Sequence, residues 1–159
     1  MIYGWLIAGL AALDLGIKAE VESEETETFP RELPNSKGLI VLHKNHNKGF
    51  PFGFLERHPE VVRALPLSVA AFFTGALTAI LDRKDAIGEK VGLSFIIGGA
   101  ISNLYDRWVR GYVVDYFSIQ KGNRLKGVVF NLGDIFIFIG SFLILAAQVV
   151  KTILGLKKR

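Results

Sequence analysis

The sequence contains no cysteine. That absence excludes disulfide frameworks, thiolate metal sites and cysteine nucleophiles. Histidine is scarce, with 3 in the chain. Two of them, His43 and His46, share one His-Lys-Asn-His stretch. On a strand, residues three apart face opposite sides, and no third ligand accompanies this pair. Neither a metal nor a cofactor is expected. Charge is also thin, at 21% of residues, whereas 50% are hydrophobic and Phe alone occurs 12 times. A soluble domain of 159 residues would expose too much apolar surface at that composition, so a bilayer is the better solvent. The net charge of +4 would suit nucleic acid. The basic residues, however, flank apolar runs, where phospholipid headgroups meet them. Membrane lipids, not nucleic acid, are the expected surroundings.

Four apolar runs organise what reads as one integral-membrane domain over 1–159. A spanning helix needs roughly 20 mostly apolar residues. The expected spans are about 2–18, 64–81, 88–106 and 128–150. The first and third are short unless Lys18 and Lys90 snorkel to the interface. The first run lacks a cationic start and an A-x-A pattern and contains Asp14, which argues against a cleaved signal peptide. Ala71, Gly75 and Ala79 give the second span a small-xxx-small face, read as a helix-packing surface. Trp5 and Trp108 read as interfacial anchors. An even span count puts both termini on one side, and the Lys/Arg-dense loop 82–90 and tail lean that side toward the cytoplasm.

Between the first two spans, 20–60 reads as a β-rich extracytoplasmic segment. It begins as an acidic solvated loop over 20–32, and Gly38–His43 (GLIVLH) follows a turn signal as a strand. The stretch 49–55 alternates Phe with Gly and Pro and reads as a twisted sheet edge or an interfacial lip. The expected fold class is thus an all-α membrane protein of four transmembrane helices with a small β-cradle between helices 1 and 2.

Ionisable groups in spans are costly, so each is a functional candidate. Asp14 and Lys18 share a helix face at i, i+4. Asn103, Asp106 and Arg107 share another at the end of the third run, and Asn131 and Asp134 repeat the i, i+3 relation at the start of the fourth. All fall on one side of the membrane, which predicts a common cavity. Asp115 sits in an apolar Val-Val-Asp-Tyr-Phe run between those spans. Alone, it is equally well read as an ion-pair partner of Arg107 or Arg110. Two converging carboxylates change the reading: like charges share one proton, so one group activates water while the other protonates an amide carbonyl.

These stretches, Asp14-Leu-Gly-Ile-Lys18, Asn47-Lys-Gly49, Gly98-Gly-Ala-Ile-Ser-Asn103-Leu-Tyr-Asp106-Arg107, Gly111-Tyr-Val-Val-Asp115-Tyr-Phe and Phe130-Asn131-Leu-Gly-Asp134, resemble the bacterial lipoprotein signal peptidases, signal peptidase II, in the family's order. The resemblance implies a catalytic dyad at Asp115 and Asp134. It implies substrate contacts at Asn47, Gly49, Asn103, Arg107 and Asn131, and supporting roles for Asp14, Lys18, Gly99 and Asp106. It implies a prolipoprotein substrate carrying a diacylglyceryl-modified cysteine, cut just before that cysteine. It further implies a bacterial inner-membrane location and an active site on the extracytoplasmic face; the sequence itself is silent on oligomeric state, and a monomer is the simplest expectation. Phe50, Pro51 and Phe52 replace the usual small residues after Gly49. Ser102 stands where Gly is usual and Gly133 where Ala is usual. These departures leave room for a specialised or catalytically idle paralogue that binds lipidated peptides. A small ion-coupled transporter is the remaining rival. The single-depth clustering of polar groups and the lack of an inverted repeat speak against it.

Overall fold

The computed structural model describes residues 1–49, 54–55, 57–121 and 127–156. Phe50, Pro51, Phe52 and the Lys157-Lys158-Arg159 tail lie outside the described residues. The chain runs α1 (Ile2–Ser23), β1 (Arg31–Glu32), β2 (Ile40–Asn47), α2 (Pro59–Ile80), α3 (Ile87–Tyr105), β3 (Val113–Ile119) and α4 (Leu132–Leu156). A turn of π-helix, Asp106–Arg110, continues α3 and ends at Gly111, whose φ of 83° is the left-handed conformation that glycine adopts without strain.

Helix α1 is apolar on nearly every side, and its one buried stripe is Ala11, Asp14, Lys18 and Val21, at helical spacing. The stripe carries both ionisable residues into the bundle. Lys18 therefore does not snorkel: it is 0% exposed, because two carboxylates and two side-chain acceptors inside the bundle outbid the interface. Lys90 is buried as well, donating to the Leu81 carbonyl at 3.0 Å. Helix α1 also runs on through Ser23, so the acidic stretch begins as helix. Beyond it Arg31 pairs with Glu24.

Helix α2 starts with Pro59 in its first turn, where the missing N–H costs nothing, and buries Val62, Ala70 and Leu77. The Ala71, Gly75 and Ala79 face is exposed and packs on no helix among the described residues, since the larger Leu77 and Phe73 make the contact with α3. Helix α3 is the axis of the bundle, in contact with α1, α2 and α4. Its closest neighbour is α4. A methyl group on Gly92 would stand 2.7 Å from the Gly140 carbonyl oxygen, and one on Gly99 would strike the Gly133 carbonyl. Such glycine contacts let two backbones meet where lipid offers no hydrophobic drive to pack helices.

Three helices among the described residues, α1, α2 and α4, are long and apolar enough to cross a membrane. Helix α3 falls outside that set because its surroundings are helices. Gly92, Gly98, Gly99, Ser94 and Ser102 are buried where lipid-facing residues would be Leu or Ile.

The sheet is antiparallel in the order β1-β2-β3. It is not built from the α1–α2 segment alone: β3 comes from the α3–α4 connection. Val113–Ile119 is buried on both faces, so the alternation that marks a half-buried strand is missing there. Register shifts between Leu42 and Asn45, which brings Asn45 opposite Asp115 and Asn47 opposite Val113.

Candidate active site

Asp115 and Asp134 line one cavity of about 530 Å³ at the sheet end of the bundle. Asn47, Gly49, Asn103 and Arg107 line it with them. Asp115 reaches it from the middle of β3 and Asp134 from the first turn of α4, so the two carboxylates belong to different elements.

Asp115 is 3% exposed, and each carboxylate oxygen has its own amide donor. Asn131 Nδ2 donates to Oδ1 at 2.7 Å and Asn47 Nδ2 to Oδ2 at 3.0 Å. Asn47 is oriented in turn by the Gly49 N–H, which donates to its Oδ1 at 3.1 Å. That bond commits the Asn47 oxygen and leaves its NH₂ for Asp115. Burial raises the Asp115 carboxyl to about 6, the charge of Asp134 adds to the rise, and the two amides oppose it. The alternative in which Asp115 serves Arg110 does not hold, since Arg110 pairs with Asp106.

Asp134 Oδ1 accepts from Asn103 Nδ2 at 3.0 Å and Oδ2 from the Asn131 backbone N–H at 3.2 Å. The Asp134 N–H donates back to Asn131 Oδ1 at 3.0 Å. Asn131 and Asp134 thus form a reciprocal cap on α4, the Asn-x-x-Asp form of a capping box. Asn131 is fully buried, and one residue holds both carboxylates: its side-chain amide donates to Asp115 and its backbone N–H to Asp134. Arg107 comes from the π turn, and its Nη1 donates to the Asn103 carbonyl at 3.4 Å. Burial lowers its pKa, while Asp134, Asp115 and Asp106 raise it. A guanidinium stays charged in such a setting.

Below the cavity lies the Lys18 hub. Its ammonium meets Asp14 at 2.9 Å, Asp106 at 3.1 Å, Ser102 Oγ at 3.0 Å and Asn103 Oδ1 at 2.8 Å. The last contact sets the Asn103 amide so that its NH₂ faces Asp134. Asp106 accepts the Val114 N–H at 3.0 Å and so pins β3 one residue before Asp115. Ser102, the departure from Gly, donates to Asp14 at 2.6 Å. Gly133, the departure from Ala, has the Asp14 carboxylate 2.9 Å from where a methyl would be.

Tyr116 is a participant that sequence reasoning passed over. Its hydroxyl donates to Asp14 at 2.9 Å and accepts from the Leu132 N–H at 2.9 Å, joining α1 to the start of α4. Burial and the Asp14 charge push the phenol up, so it stays protonated. In sequence, a Tyr in an aromatic run looks like core. His43 and His46 part company: His43 meets Ser118 at 2.8 Å, and His46 meets Glu22 at 2.7 Å while stacking on Tyr112. Phe54, from the proposed lip, is exposed.

The site therefore presents one buried and one half-buried carboxylate, amide donors on each, and a guanidinium at the rim. Such a set can bind a peptide backbone and move protons at one water without a metal. The sequence profile described as Signal peptidase (SPase) II matches residues 6–150. The lipoprotein signal peptidase of Brucella ovis is 35% identical over 137 residues, which is 86% of this chain and 82% of that protein. The protein of the same name from Brucella melitensis matches at the same 35% over 137 residues. Two solved structures share the fold. A bacterial membrane enzyme determined in meso at 2.3 Å superposes with a TM-score of 0.76 at 20% identity, covering 95% of this chain and 89% of that one. A second, at 1.9 Å, gives 0.74 at 19% identity, covering 92% of each. With nearly all of its length inside the family profile, and relatives above 30% identity over most of theirs, the chain belongs to the signal peptidase II family of membrane peptidases.

Proposed function

We propose that this chain is an aspartic endopeptidase of the membrane that removes the signal peptide from diacylglyceryl-modified prolipoproteins, cutting before the lipid-bearing cysteine. The observation that carries the reading is the meeting of Asp115 and Asp134 in one cavity. The pair holds one proton between them. The ionised member takes a proton from water as its oxygen bonds to the scissile carbonyl carbon. The protonated member gives its proton to the carbonyl oxygen. Collapse of the tetrahedral intermediate then breaks the C–N bond: the departing amine takes the proton that came from water, and a hydroxyl of the intermediate returns its proton to the other aspartate, restoring the shared-proton pair. Asn131 and Asn103 keep the carboxylates aimed, and Arg107 offers planar donors to substrate carbonyls.

In this reading α3 spans the bilayer with the three apolar helices, giving four spans, cytoplasmic termini and an extracytoplasmic sheet. The enzyme sits in the bacterial inner membrane as a monomer, and the lipidated signal helix enters laterally, since it cannot leave the bilayer. Phe138, exposed on α4 beside the cavity, offers an apolar side for acyl chains. The test uses a purified prolipoprotein with and without the diacylglyceryl group, with the products weighed by mass spectrometry. Cleavage immediately before the modified cysteine, and none of the unmodified precursor, is expected. Equal cutting of both forms, or cutting elsewhere, rejects the substrate assignment.

A further inference from the structure

At the other end of the bundle, away from the dyad, α2, α3 and α4 enclose a groove of about 350 Å³. Its walls are Phe72, Phe73, Ala76 and Ile80 of α2 with Leu93 and Ile144, and Phe72 is 70% exposed. Arg83, Glu89 and Lys151 stand at its mouth. Glu89 is unusual there, with a side chain only 9% exposed. Its Oε1 serves Lys151 and Gln148, the latter at 3.2 Å, but its Oε2 is buried with no hydrogen-bond partner among the described residues. A buried carboxylate oxygen left without a donor costs free energy that a ligand can recover.

The charges at the mouth are balanced but divided. Arg83 meets Asp85 at 2.9 Å, and Lys151 meets Asp85 at 3.7 Å as well as Glu89. Two cations against two carboxylates give no net field to hold a simple anion. They match a molecule that itself carries one charge of each sign. An apolar wall below a headgroup-level mouth adds a hydrocarbon tail to that description. We propose that this groove docks a zwitterionic phospholipid with a primary ammonium headgroup. Its phosphate lies between Arg83 and Lys151, its ammonium donates to Glu89 Oε2, and one acyl chain lies along Phe72, Phe73 and Ile80. A choline headgroup has the same net charge but no N–H to give Glu89, and a glycerol headgroup leaves the phosphate charge unbalanced.

Native mass spectrometry of the full chain in detergent tests this directly. Equal amounts of phosphatidylethanolamine, phosphatidylcholine and phosphatidylglycerol are offered, and bound lipid is counted. The ethanolamine lipid should exceed each of the others by about tenfold, the value of one charge-assisted hydrogen bond. Glu89→Gln should bring it down to the choline level. Arg83→Gln, at a half-exposed position that puts the fold at little risk, should weaken ethanolamine and choline lipids alike by a few fold. Equal retention of the three lipids by the parent overturns the proposal, as does an ethanolamine preference that survives Glu89→Gln. Should Glu89→Gln fail to fold, unchanged lipid retention by Arg83→Gln overturns it instead.

Discussion

Replacing Asp115 with Asn should change not only activity but the pH dependence of stability, and in a direction fixed by linkage. The folded Asp115 carboxyl titrates at about 6, against an ordinary 3.8. Between those values the folded chain holds a proton that the unfolded chain has released. Stability contributed by this group is therefore greatest at low pH, falls as pH rises through the window and reaches its floor above about 6. The full penalty for ionising such a carboxyl in the fold is about 3 kcal/mol, and roughly half of it accrues between pH 5 and pH 8. Asn cannot titrate, so the variant lacks this pH dependence. Thermal unfolding followed by tryptophan fluorescence in detergent, at pH 5 and pH 8, gives the comparison. The parent midpoint should drop by about 4 °C relative to the Asp115→Asn midpoint over that interval. Groups such as His43 titrate in both proteins and cancel. The measured difference belongs to the coupled pair, since Asp134 feels the loss of its neighbour's charge. A difference that stays constant with pH, or widens in the parent's favour as pH rises, refutes the assignment of a buried, proton-sharing Asp115.

Three further outcomes follow from the packing around the dyad. Lys18→Met leaves Asp14 buried without a cation and Asp106 with Arg110 alone, and should destabilise the fold by about 3–5 kcal/mol; a thermal midpoint within a few degrees of the parent would contradict the hub. Asn131→Ala removes a donor from Asp115 and the cap from α4. It should lower kcat by roughly 10-fold to 100-fold, from losing one hydrogen bond to a charged group and one cap, and move the Asp115 limb of the pH–rate profile upward. An unshifted limb would show that Asn131 does not touch the titrating group. Gly99→Ala drives a methyl against the Gly133 carbonyl and should separate α3 from α4, destabilising by about 1–3 kcal/mol with loss of activity. An unaltered midpoint would mean that the close approach is not there.

Much of the site was legible because its residues repeat at helical spacing. Asn103 and Arg107 share one face, and Asn131 and Asp134 another, so local periodicity alone set them side by side. The four helices were legible from apolar runs for the same reason. What joins these faces was not. Lys18 bonds Asn103 across 85 residues, and Tyr116 bonds Asp14 across 102, and no local pattern announces such pairs. In sequence Lys18 reads both as the i, i+4 partner of Asp14 and as a residue able to snorkel; the second carboxylate that holds it inside, Asp106, comes from another helix. β3 was missed as a strand because burial on both faces erases its alternation. The exposed Ala71-Gly75-Ala79 face shows the converse: a packing motif is a permission for close contact, not a contact.

The most direct test of the account is the conversion of a lipid-modified prolipoprotein to its shorter form by the parent, by Asp115→Asn and by Asp134→Asn. All three are inserted in membranes at matched levels, and the products are read on a gel. Conversion by the parent and a loss of at least about a thousandfold in each variant are expected, because one carboxylate alone can neither share a proton nor finish the proton transfers. Conversion that persists in either variant at near the parent rate would contradict the dyad.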